Sequence, residues 1–432
     1  MMAMTRARCR REPTTGLLAA TEEQYGNLPA LHLVAALVWL VSFGLGRAPE
    51  SIAFTALIAV SILRIPTTVS LFVCSIQASS TLRAWLLCCL IVSISALWSS
   101  ADSWSSAVPP RFVLAPFLLL PLANRWGMLL AAFVLGMSAQ AAWIVTEAIM
   151  VKSWTYGDAA EALGSSQDWG QWRPPLAIAI VCTLAAALLS KSWRLAAAAI
   201  GLASCCFAAL LCLGSKSFTL STVAAIIVVV TIAFLNPLGR WRASIVLLGF
   251  VVAGFTVPTQ AVMRQFRVLE LAAAGGELGE ITSQRAALWE LTMPACSRYP
   301  VLGHGRSSWK HDFPSLARTQ PVGSMPWPSD ALPAFNGPHC LYLHVLYEQG
   351  LVGLAALAML VWSIVALAHR SMIPTKLLLT GLLCQWLAAG VTESLLPTRG
   401  GWIAIAFVVF IATIDPMLSH SVGVNCRAAK PC

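Results

Sequence analysis

The chain has 432 residues, of which 58% are hydrophobic and only 11% charged. A soluble domain carries about 25% charged residues, so the composition excludes an ordinary soluble globular protein. The net charge of +10 invites nucleic acid or anionic lipid as partners, yet Lys and Arg placed at helix ends account for much of it without either.

The first 27 residues, MMAMTRARCRREPTTGLLAATEEQYGN, are basic and polar, with no apolar stretch beside the arginines. They lack the build of a cleavable signal peptide, and the Arg10-Arg11 pair does not make an export signal. Residues 1–28 read as a cytoplasmic tail. Apolar runs near the ~20 residues needed to cross a bilayer then follow almost to the end. Spans are expected near 29–46, 50–63, 82–98, 111–123, 126–150, 174–190, 193–213, 217–235, 240–258, 339–368, 374–395 and 400–415. The second and fourth are short, and residues 66–79 either extend the second or lie at the interface. Runs of this length are far too long for barrel strands, so the fold class is an all-α polytopic membrane protein.

This gives nine spans over 29–258, a large polar loop at 259–338, three spans over 339–415 and a tail at 416–432. Arg6, Arg8, Arg10, Arg11, Arg64, Arg83, Arg125, Lys191, Arg194, Arg240, Arg242, Arg370, Lys376, Arg427 and Lys430 fall on the side of the N-terminus. The opposite short loops hold only Arg47, Arg111, Lys152, Arg173, Lys216 and Arg399. The positive-inside rule therefore puts both termini in the cytoplasm and has the 259–338 loop face outward; in a bacterial cell that means the periplasm, with the chain in the inner membrane.

That loop is rich in arginine, and "LGEITSQRAALWELTMPAC" within it has a helical pattern with Ile281, Ala286, Leu288 and Trp289 on an apolar side. Arg285 and Trp289, four apart, share a face, and Pro294 is expected to end or kink the helix. A solvated surface would also be arginine-rich, but loops this long are more often functional than idle. Thirteen cysteines are scattered, many as small hydrophobes inside apolar runs. None shows metal spacing, while Cys296 and Cys340 are placed where a disulfide between them stays open.

The span interiors are nearly free of charge. Glu147 and Glu393 lie towards the outer ends of their helices, and Glu348 stands four residues after His344, which reads as a packing pair. Polar capacity gathers at the outer face instead. His339 follows Pro338 at the mouth of span ten, where an imidazole is either a polar cap or a catalytic base. Arg285 is either a surface charge paired with Glu290 or Glu280, or a ligand for an anion; Lys216 either snorkels or does the same. His304, between glycines, is more readily a turn residue than a ligand. One imidazole with several cations suits an anionic, lipid-linked substrate such as a diphosphate, since Arg binds phosphate oxygens through paired donors.

The run Arg285, Trp289, then Pro300-Val301-Leu302-Gly303-His304-Gly305, then Pro338-His339, Tyr342-Leu343 and Glu348-Gln349-Gly350-Leu351-Val352-Gly353 resembles the O-antigen ligase family. So does "SALWSSADSW" near the outer end of span three. The chain departs in carrying Cys340 where the family usually has Asn, and Ser215-Lys216 where it often has Ser-Arg; lysine keeps the charge but loses the bidentate fork. The resemblance implies about twelve transmembrane helices with a large, partly helical periplasmic loop between the ninth and tenth. It implies a glycosyltransferase that moves O-antigen polysaccharide from undecaprenyl diphosphate to lipid A–core, inverting the anomeric centre, with no cofactor, nucleotide or metal. His339 would be the general base, Arg285 and Lys216 the diphosphate ligands, and Arg264, Arg267, Arg306, Tyr342 and His304 accessory groups. Besides donor, acceptor and membrane lipids no partner is implied, and no nucleic acid. Repeat-unit polymerisation and protein glycosylation share the motifs. A lipid-linked sugar flippase is the alternative from another class, and it would need polar sites at the midplane.

Overall fold

The computed structural model describes residues 27–45, 47–99, 110–150, 172–235, 240–247, 285–319, 337–395, 401–402 and 405–414. The expected tails, most of span nine, and Arg264, Arg267, Ile281 and Glu280 lie outside them. The described residues are helical, with no strand among them.

Seven helical stretches are long and apolar enough to cross a membrane, or eight if one sharply bent pair counts as a single span. The bent pair joins α1's neighbour α2 to α3, where α1 is Leu28–Ser42, α2 is Arg47–Leu63 and α3 is Ile65–Ala78. The two meet at 91°. Arg64 sits in the bend, and it is not the loop charge the sequence suggests: it is only 1% exposed, with Nη1 3.2 Å from His32 Nδ1. A guanidinium can only donate, so His32 Nδ1 accepts and its Nε2–H reaches the Leu118 carbonyl at 3.0 Å. This network holds the bend against α1.

Next come α4 (Ser80–Ile94), α5 (Pro110–Leu119) and α6 (Trp126–Met150). The expected separate spans at 111–123 and 126–150 form one apolar helical stretch, Val113–Met150. A six-residue 3-10 segment, Leu120–Arg125, carries the chain across residues 124–125, the gap between the two expected spans. Then follow α7 (Arg173–Leu189), α8 (Trp193–Cys212) and α9 (Lys216–Leu235). α7 is apolar on every face and buried nearly all round, as expected of a bundle's central helix. It packs against α6, α8, α9 and the later helix Ile373–Thr392.

The polar segment supplies two helices, α10 (Arg285–Cys296) and α11 (Ser308–Thr319). Pro294 does not stop α10, which continues to Cys296. They share a small core of their own, in which Leu288, Leu291, Ala295, Trp309 and Phe313 pack on Leu343 and Tyr347 of α12. The Trp309 indole, fully buried, donates to Thr292 Oγ1 at 3.0 Å. The long helices α12 (Leu341–Arg370) and α13 (Ile373–Thr392) complete the frame, with the short apolar helix α14 (Ile405–Ile414). α12 lies against α4, α10 and α13, and α13 against α9.

α12 is broken at Gly350, whose φ of 63° and ψ of −159° are not helical. The break frees carbonyls and amides that an intact helix would pair, and the loop 300–305 takes them. His304 N and Gly305 N donate to the Tyr347 and Glu348 carbonyls at 2.8 and 2.9 Å. Leu351 N and Val352 N donate to the Pro300 and Val301 carbonyls at 2.9 and 3.2 Å. The fit leaves no room for a side chain: a Cβ on Gly350 would lie 2.3 Å from the Val301 carbonyl oxygen, and one on Gly303 would lie 2.5 Å from the Glu348 carbonyl carbon. The same loop reaches α4's end, where Arg306 N donates to the Ser95 carbonyl at 3.2 Å and the Ser99 hydroxyl donates to the Arg306 carbonyl. The Pro-x-x-Gly-x-Gly run, the Glu-x-Gly run and the Ser-Ala-Leu-Trp-Ser stretch are thus three sides of one joint.

Candidate functional site

The N-termini of α9, α10 and α12 and the C-terminus of α13 meet at one end of the bundle. α13 ends at Thr392, and the next residue, Glu393, turns its carboxylate into the gap. Arg285, first residue of α10, donates from Nη2 to Glu393 Oε1 at 2.9 Å and from Nη1 to Ser217 Oγ at 2.9 Å. His339 Nδ1 stands 3.4 Å from Glu393 Oε2. A carboxylate only accepts, so this hydrogen bond is donated by His339 Nδ1–H. The side chains of Arg285, Glu393 and His339 are 22%, 17% and 33% exposed, an arrangement sheltered but open to a ligand.

Burial alone would push the Glu393 carboxyl upward. Hydrogen bonds from His339 and Ser217 and the nearby Arg285 charge outweigh it and hold the carboxyl below its usual range. Glu393 is therefore ionised at neutral pH.

Local structure fixes these groups. Trp289, one turn after Arg285, donates from its indole to the Pro338 carbonyl at 3.0 Å, so α10 grips the segment that presents His339. His339 has φ of 51°, a left-handed conformation that a non-glycine residue pays to adopt and that clusters at functional sites. Lys216 opens α9 beside Ser217, and the α9 N-terminus adds its own partial positive charge.

The remaining candidates are placed elsewhere. Tyr342 donates to the Leu387 carbonyl at 3.0 Å, tying α12 to α13. His304 stacks on Tyr347, with ring centroids 4.2 Å apart and planes 4° from parallel; burial there holds its imidazole below the usual value. Arg306 is buried near Glu348, and that carboxylate offsets part of the downward pull of burial on the guanidinium. His344 Nε2 lies 3.3 Å from Glu348 Oε2 with both side chains buried, as the packing reading has it. Cys296 and Cys340 are both free thiols.

Glu393 and Ser217 are the site residues that sequence reasoning passed over. Of the two alternatives for Arg285, a pairing with Glu290 is not what the structure shows: its carboxylate partner is Glu393, 108 positions away. The available signal was a lone acid at the same membrane end as His339, which a search for acids near the candidate base would have found.

The fold and site define a multi-pass helical membrane protein with a histidine–carboxylate–arginine cluster at one end of its bundle. Residues 178–358 match the family model described as O-Antigen ligase. The match takes in Lys216, Ser217, Arg285, the joint at Gly350 and His339, while Glu393 lies beyond it. No curated protein matches the chain.

Proposed function

We propose that the chain is a glycosyltransferase that moves O-antigen polysaccharide from undecaprenyl diphosphate to lipid A–core at the periplasmic face of the bacterial inner membrane. The observation that carries this reading is the shared Glu393 carboxylate, which orients His339 on one oxygen and Arg285 on the other. A sugar hydroxyl is a poor nucleophile at neutral pH, and an imidazole whose Nδ1–H is committed to a carboxylate presents Nε2 as base. The acceptor hydroxyl gives its proton to His339 Nε2 as its oxygen attacks the anomeric carbon. The bond from that carbon to the diphosphate oxygen breaks, its electron pair leaves with the diphosphate, and the centre inverts.

The leaving group gathers negative charge that preplaced cations stabilise. Arg285 spends two of its five N–H donors on Ser217 and Glu393, which hold the guanidinium still, and keeps others for phosphate oxygens. Lys216 supplies a second charge beside it.

The test is complementation of a cell lacking the native gene with wild type or His339→Ala, with lipopolysaccharide and the undecaprenyl-linked pool analysed together. Long polymer held on undecaprenyl diphosphate in the variant, over bare lipid A–core, is the expected outcome. Single repeat units in place of polymer would make the reaction polymerisation, and full rescue by the variant would remove the base and favour a flippase.

A further inference from the structure

The loop that splints the α12 break also carries an exposed apolar tip. Tyr299, Val301 and Leu302 are 59%, 56% and 52% exposed, and Met293 near the end of α10 is 60% exposed. Such side chains gathered in one short stretch are costly in water. The tip is rigid: Gly303 N donates to the Tyr299 carbonyl at 2.9 Å, closing the turn, and the His304 ring meets Tyr299 edge-on at 4.9 Å.

Its position indicates what covers it. The bonds from Leu351 N and Val352 N to the Pro300 and Val301 carbonyls lay the tip directly on α12. Leu351 and Val352 begin an exposed apolar stripe that runs on through Met359, Trp362 and Val365 at helical spacing. α12 is among the helices long and apolar enough to cross a membrane; on a spanning helix such a stripe faces lipid, and the tip continues it past the break.

We propose that residues 299–302 insert into the bilayer at the boundary between headgroups and acyl chains, with Tyr299 at headgroup level, where tyrosines are enriched. The tip follows α10 directly, at the opposite end from Arg285, about 18 Å away for 12 residues at 1.5 Å each. The bilayer thus holds the far end of the helix that presents Arg285. That consequence rests on the function proposed above; the insertion itself rests only on the membrane-spanning fold.

The test places p-benzoylphenylalanine at Val301, at Leu302 or, as a control, at exposed Arg318 of α11. The full-length protein is put in nanodiscs of phosphatidylethanolamine and phosphatidylglycerol, irradiated, and weighed intact by mass spectrometry. Phospholipid adducts at 301 and 302 with none at 318 are expected. Absence of lipid adducts at 301 and 302, equal adducts at 318, or crosslinked dimers in place of lipid adducts would overturn the proposal, the last pointing to a second copy on this face. Val301→Glu with Leu302→Glu is expected to abolish protection of the loop from added protease while the protein still elutes as a folded species. Intact protection in that variant would count against insertion, and the crosslinking result stands whether or not it folds.

Discussion

His339 and Glu393 stand 54 positions apart in the chain and meet at 3.4 Å, imidazole Nδ1 to carboxylate Oε2. The contact gives the ring one tautomer and one orientation, and a base needs both. Glu393→Gln keeps the shape of the side chain but offers His339 an amide that can present either its oxygen or its NH2. We expect glycan transfer to fall by roughly 100-fold, within the range positioned acid–base groups contribute, with the protein still inserted in the membrane. Transfer within a few-fold of wild type would show that the imidazole does not depend on this carboxylate.

The lowered pKa of Glu393 carries a stability signature of defined sign. Because the folded carboxyl titrates below its unfolded value, its contribution is present above that unfolded value and is lost as pH falls through the folded one. With about 4.3 for an unperturbed glutamate, the thermal-stability gap between wild type and Glu393→Gln should stay level from about pH 5 to about pH 8. It should close only in more acid solution. A gap that varied between about pH 8 and about pH 6 would mean that the Glu393 carboxyl alone does not govern the cluster.

Arg285 bridges Ser217 and Glu393 from two different nitrogens, both at 2.9 Å. A lysine at this position has one nitrogen and no fork, so it cannot hold both partners and meet a phosphate. Arg285→Ala is expected to cut use of the lipid-linked donor by about 100-fold or more, and Arg285→Lys to recover only a minor part of that. Arg318→Ala, an exposed change on α11, should leave donor use unaltered. Equal losses for Arg285→Ala and Arg318→Ala in a donor-titration assay would mean that the loop acts as a diffuse basic patch.

Much of this was legible in the sequence because lipid imposes coarse rules: long apolar runs, sparse charge, polar groups gathered at one end. His339, Arg285 and Trp289 were readable as a group because the last two share a helix face and the first opens the next long helix. What was not legible depended on tertiary contact. Glu393 looks like any acid at a span's end, and nothing local says that its two oxygens serve residues 54 and 108 positions away. Arg64 reads as a loop charge, yet the bend between α2 and α3 buries it against His32. The glycine motifs carry part of the family resemblance in sequence, and the structure places them in the joint between the 300–305 loop and α12.

Tyr342 illustrates the same distinction and can be tested cheaply. Its hydroxyl donates to the Leu387 carbonyl, not towards the cluster. Tyr342→Phe removes one hydrogen bond between α12 and α13, worth about 1 kcal/mol, and leaves the ring in place. A small drop in melting temperature with transfer within about threefold of wild type, less than 1 kcal/mol on the barrier, is expected. A large loss of transfer without loss of stability would return Tyr342 to the reacting groups.

The joint itself is the sharpest structural prediction. Gly350 combines a left-handed φ of 63° with a backbone carbonyl that a Cβ would approach to 2.3 Å. Gly350→Ala must either restore helical geometry, breaking the amide bonds from Leu351 and Val352 to the 300–301 carbonyls, or push the loop away. Both routes displace residues 299–305 and, through α10, the Trp289 grip on Pro338 that presents His339. The loss should exceed about 2 kcal/mol, the scale of backbone strain compounded by a steric clash, and transfer should fall with it. Gly127, where a Cβ meets nothing within 4 Å, provides the contrast: Gly127→Ala should leave melting temperature and transfer unchanged or slightly improved. If Gly350→Ala behaved like Gly127→Ala in a detergent melt, the break in α12 would not be held by the loop that closes on it.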